Sequence, residues 1–173
     1  MRTRDKVALV ITGYIVAVLV AAGVVAVYVA LTDSPDRQAS SGMYAFGDSL
    51  LFLAVFGVVG SIPTGAALFY LRSWPRCWPA LAVAALIIAA TGALALAEYL
   101  AVWSGANPLL GAWSAFSVLR ILVAPLLALG FGLATVFAPS RSTRLALLAA
   151  TLAEAGVFGG WVAALGLRWL QTR

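Results

Sequence analysis

Residues 114–137 read SAFSVLRILVAPLLALGFGLATVF, an apolar run long enough to cross a bilayer, with Arg120 set inside it. A guanidinium in hydrocarbon costs roughly 2.5–3.5 kcal/mol on insertion scales, so acceptors must stand close by. The nearest acid along the chain is Glu98, on the preceding apolar run Pro79–Trp103. At ~1.5 Å per residue, Arg120 lies roughly 9 Å from the start of its run and Glu98 a similar distance from the end of its own. The short stretch Ser104–Trp113 makes the two runs antiparallel neighbours. Glu98 and Arg120 are therefore expected to face each other, with Asp48 as a second acceptor for the five guanidinium donors.

Working outward, three further runs of comparable length appear: Val7–Leu31, Ser49–Leu71 and Leu145–Leu170. With 64% hydrophobic and 10% charged residues in 173, the chain lies far from the soluble average, where about a quarter of residues are charged. Helices close their backbone hydrogen bonds internally, so runs this long read as membrane-spanning helices rather than strands. The expected fold is all-α: a polytopic bundle of five transmembrane helices (7–31, 49–71, 79–103, 114–137, 145–170) in a single domain over 1–173. Residues 32–48 form a polar outer loop, and Asp48 or Ser49 caps the helix that follows it.

Orientation follows from the basic residues. Seven lie on one side (Arg2, Arg4, Lys6, Arg72, Arg76, Arg141, Arg144) and three on the other (Arg37, Arg168, Arg173). The excess marks the cytoplasmic face, with the N-terminus inside and the C-terminus outside, although Arg168 and Arg173 run against the rule. The expected location is a bacterial inner (cytoplasmic) membrane. The net charge of +5 comes mostly from these flanking residues, which meet lipid headgroups. No basic stripe with interleaved aromatics points to nucleic acid.

Histidine is absent and Cys77 is the only cysteine. Catalytic triads with histidine, histidine-containing zinc sites and intrachain disulfides are thereby excluded, and no cofactor or metal site is expected.

Several residues inside the runs carry meaning beyond hydropathy. Glu154, about 14 Å into the last run, has no basic residue at the same depth and is expected to be neutral, hydrogen-bonded to Thr91, Ser61, Thr64 or Tyr14. It serves either as a polar link between helices or as a proton carrier. Pro63 and Pro125 are expected helix breaks, with Ser61 and Thr64 satisfying the backbone that Pro63 frees. Gly156, Gly160 and Ala164 recur every four residues and offer a smooth packing face, nearly opposite Glu154.

Three function classes remain. An accessory, scaffold or lipid- or ligand-binding component fits the short loops and small-residue faces; its partners would be membrane lipids, another membrane protein or further copies of the chain. Proton-coupled or channel-like transport of a small solute through Glu154, Glu98 and Arg120 is the alternative. An intramembrane enzyme is the least supported, because no dense aspartate motif and no nucleophile–base pair is recognisable.

Overall fold

The computed structural model describes residues 3–105 and 114–171. Its secondary structure is helical throughout: α1 (Thr3–Leu31), α2 (Pro35–Ala39), α3 (Ser41–Leu71), α4 (Cys77–Trp103), α5 (Ser114–Phe137) and α6 (Arg141–Gln171). Five of these are long and apolar enough to cross a membrane, and α2 is the short sixth. Most of the expected outer loop Ser104–Trp113 lies outside the described residues, as do Arg2 and Arg173.

Each long helix reaches beyond or matches the run read from hydropathy. The largest difference is at α3, which begins at Ser41 and not at Ser49, so Asp48 sits inside the helix rather than capping it. Asp48, whose charge had marked this stretch as loop, has an ion-pair partner in Arg37. Ser49 likewise donates to the Ala45 carbonyl from within the helix (2.8 Å). Ser34 caps α2, accepting from the Arg37 amide at 3.3 Å, and Pro35 occupies the first turn, where its missing N–H is harmless.

The chain divides into two compact units, Met1–Tyr70 and Leu71–Arg173. In the first, α1 and α3 pair antiparallel. Lys6 lies 5.2 Å from the Tyr70 ring centre, Gly13 meets Pro63, the Tyr14 and Thr64 hydroxyls bond at 2.8 Å, and Tyr28 shares a cavity wall with Asp48. These contacts are all centred near residue 38, so one register holds over the whole length.

Pro63 is buried within a continuous helix, as is Gly60 one turn earlier. Pro63 frees the Val59 carbonyl; the Ser61 and Thr64 hydroxyls bond the carbonyls on either side of it, Val58 (2.6 Å) and Gly60 (2.7 Å). Gly13 is what admits the proline ring: a Cβ there would stand 2.8 Å from Pro63 Cβ, and a ring cannot swing away. Gly13→Ala is accordingly expected to destabilise by about 1–3 kcal/mol. Gly23→Ala, with nothing within 4 Å, should be neutral or stabilising. Thermal unfolding of the two variants in the same detergent checks the contrast.

In the second unit, α4, α5 and α6 pack on one another. The buried face of α4 is Trp78, Ala82, Ala85, Ala89, Gly92, Ala95 and Glu98, mostly small residues at spacings of three or four. Small side chains let helix backbones approach closely, so the inner face differs from the outer one in size rather than polarity. The α6 face is Thr143, Leu147, Ala150, Glu154, Val157 and Ala164. Trp78 is fully buried and donates to the Leu71 carbonyl at 3.2 Å. At the α5–α6 turn, Arg144 donates to the Ala138 carbonyl (2.7 Å), while Ser140 accepts from the Thr143 amide (3.3 Å). These close the end of one helix and the start of the next.

The remaining surface is strongly apolar. Leu19, Ile62, Val58, Val136 and Leu152 are each more than 60% exposed. A soluble monomer does not carry so much exposed apolar surface, which needs lipid or protein against it.

Candidate functional site

The polar centre of the second unit is built on Arg120. Its Nη1 donates to Glu154 Oε2 at 3.1 Å and its Nη2 to Glu154 Oε1 at 2.5 Å, a two-pronged pairing of fork with carboxylate. Nε donates to the Thr91 hydroxyl at 3.0 Å, and Nη2 also to the Ile88 carbonyl at 2.7 Å. Thr91 in turn donates to that same carbonyl at 2.7 Å. Four of the five guanidinium N–H groups thus have acceptors drawn from two neighbouring helices. The Glu154 side chain is 0% exposed and that of Arg120 13%.

Arg120 can lie this close to α4 because residue 92 is glycine. A Cβ at Gly92 would stand 2.9 Å from Arg120 Nη2, 3.2 Å from Cζ and 3.2 Å from Glu154 Oε2. Along α6 the carboxylate sits between Ala150 and Val157 on the buried face. Beyond it Val157 joins Ala95, Ile121 and Ala124 in an apolar cluster, closed by Leu96, Tyr99, Phe158 and Trp161. The Tyr99 and Trp161 rings meet edge to face at 6.4 Å. The charges therefore face each other with apolar packing beside them, where pairing matters most.

This arrangement corrects the expected partner of Arg120, whose carboxylate is Glu154 and not Glu98. The reason is register. Contacts between Thr91 and Arg120 are centred on residues 105 and 106, next to Gly105, which adopts a positive φ of 82°. A Glu98–Arg120 contact would be centred on residue 109, about two helical turns shallower. Similarly, Arg120 and Glu154 are centred on residue 137, beside the α5–α6 turn. For Glu154, counting depth from Leu145 hid the relation, because α6 begins at Arg141. Glu98 is itself fully buried on α4.

The reading of Glu154 as a neutral group without a basic neighbour is corrected by the same pairing, and its link to Thr91 runs through Arg120. Ser61 bonds within its own helix, and Thr64 pairs with Tyr14. Asp48 pairs with Arg37, so it is not a second acceptor for Arg120. Pro125 lies inside a continuous α5 and faces outward, so neither proline interrupts its helix.

The row Gly156, Gly160 and Ala164 does not form one face. Gly156 is exposed, whereas Gly160 packs on Leu96 and Ala164 is buried. Steps of four residues advance 400° and so drift by about 40° each time, carrying the row from the outer surface round to the packed one.

Ile88 and Gly92 escaped the sequence reading. An Ile carbonyl carries no signal, but Gly92 directly after Thr91 marks a point where something large can approach the backbone. Comparison with known proteins finds no matching family model, no similar curated protein and no similar solved structure.

Proposed function

We propose that the protein is a non-catalytic membrane component, an accessory or scaffold subunit that holds lipid or a partner chain on its outer apolar faces. The observation that carries this reading is the near-complete satisfaction of Arg120. A guanidinium with four N–H groups engaged by its own protein has little left for a ligand, and it fixes the alignment of three helices. The charge balance of the pair, one positive and one negative, also disfavours a transport role, since moving a proton through Glu154 would strand Arg120. The proposed setting is a bacterial cytoplasmic membrane with the N-terminus inside and the C-terminus outside, as the flanking arginines favour.

Crosslinking in native membranes followed by purification tests the proposal. A partner chain or lipid recovered in fixed stoichiometry is the expected result. A lone oligomer that carries protons across vesicle membranes faster than protein-free vesicles, and loses that flux on Glu154→Gln, would replace it with the transport reading.

A further inference from the structure

The unit formed by Met1–Tyr70 holds a second polar site, independent of Arg120 and Glu154. Arg37, on α2, is 8% exposed and forms an ion pair through Nη2 with Asp48 Oδ2 on α3. Its Nη1 donates to the Thr32 hydroxyl at 2.8 Å. Its guanidinium carbon stands 5.7 Å from the Tyr28 ring centre and 5.1 Å from that of Tyr44. Beside this group lies a half-open cavity of about 430 Å³, lined by Tyr28, Met43, Tyr44, Gly47, Asp48 and Leu51. That volume falls within the range of small-molecule sites, about 300–1,000 Å³.

Two features define what the cavity would take. Asp48 is the charged residue of its wall, while Arg37 stands behind it, so an entering group meets a carboxylate and two tyrosines. Asp48 Oδ1, moreover, is buried and has no donor among the described residues. A buried carboxylate oxygen left unpaired is costly, and an N–H donor would relieve it. The rest of the wall is apolar, and the site opens where two bilayer-length helices end, beside the exposed side chains of Leu31 and Met43.

We propose that this cavity binds the headgroup of a zwitterionic phospholipid whose amine retains an N–H, the ethanolamine class. The ammonium donates to Asp48 Oδ1 and faces the Tyr28 and Tyr44 rings, as cations do on aromatic faces. A zwitterion suits the site better than a simple amine: its phosphate comes with it, so the headgroup charges and those of Arg37 and Asp48 sum to zero. Water does not reach Oδ1, so the headgroup must displace a wall side chain. Met43, unbranched and 73% exposed, is free to move.

Gly47 supplies the test. Its chain neighbours aside, a Cβ there meets nothing within 4 Å, so Gly47→Leu has room to extend into the cavity; Gly42→Leu, equally open but outside the wall, is its control. Native mass spectrometry of the full chain reads retention of dioleoyl lipids with ethanolamine, N-methyl-, N,N-dimethyl-ethanolamine and choline headgroups. The first three keep an N–H and are expected to be retained about tenfold more than the choline lipid, the factor one charge-assisted hydrogen bond supplies. Gly47→Leu should abolish the preference and Gly42→Leu preserve it. Equal retention of all four lipids by the unmodified chain would overturn the proposal, even if Gly47→Leu failed to fold. A preference that survives in folded Gly47→Leu would overturn it too.

Discussion

Arg120→Ala is expected to destabilise the protein by about 3–5 kcal/mol, the usual cost of removing one member of a buried pair. Besides the four hydrogen bonds lost with the side chain, Glu154 is left 0% exposed and opposite an empty space. The carboxylate then has neither its counter-charge nor the two N–H donors of the guanidinium. Replacing both residues, as Arg120→Leu with Glu154→Leu, removes the charge problem at its source. The double variant should be more stable than either single one, so the coupling in a double-mutant cycle is large. Unfolding in a mixed detergent series reads all four proteins. Independent, additive effects would mean that the two side chains do not share an ion pair.

Gly92→Ala should cost about 1–3 kcal/mol, despite alanine being the better helix former. Its new methyl group would stand 2.9 Å from Arg120 Nη2. The end of an arginine can ordinarily move aside, but here the same nitrogen is bonded to Ile88 and Glu154, and shifting it stretches both contacts. Gly156→Ala on α6, with nothing within 4 Å, is expected to be neutral or stabilising by a few tenths of a kcal/mol. The decisive comparison places Gly92→Ala in the Arg120→Ala background, where its cost should largely vanish. A cost that persists there would show that Gly92 answers to helix packing alone and not to the guanidinium.

How much of this was visible in the chain depends on the physical property concerned. The five long helices were legible because hydrocarbon demands sustained apolarity, which no turn or soluble segment imitates. The start of α3 was not, because Asp48 and the glycines at 42 and 47 look like loop until Arg37 is known to neutralise the carboxylate. Arg120 was legible as a centre of organisation, and Glu154 and Thr91 as polar groups at depth, but their association was not. Depth counted from run ends accumulates error wherever a helix extends past its apolar stretch, as α6 does at both ends. The inner faces of α4 and α6 were hidden for another reason. Inside a membrane both faces of a helix are apolar, so Ala82, Ala85 and Ala89 stand out by volume alone.

The order of the ion pair along the chain bears on how it is assembled. The guanidinium precedes its carboxylate by 34 residues, which at ~5–20 residues per second is a delay of about 2–7 s during synthesis. Throughout that interval Arg120 has only Thr91 and the Ile88 carbonyl, both already made, to lean on. The helix bearing it therefore enters lipid as half of a hairpin whose second half brings the neutralising charge.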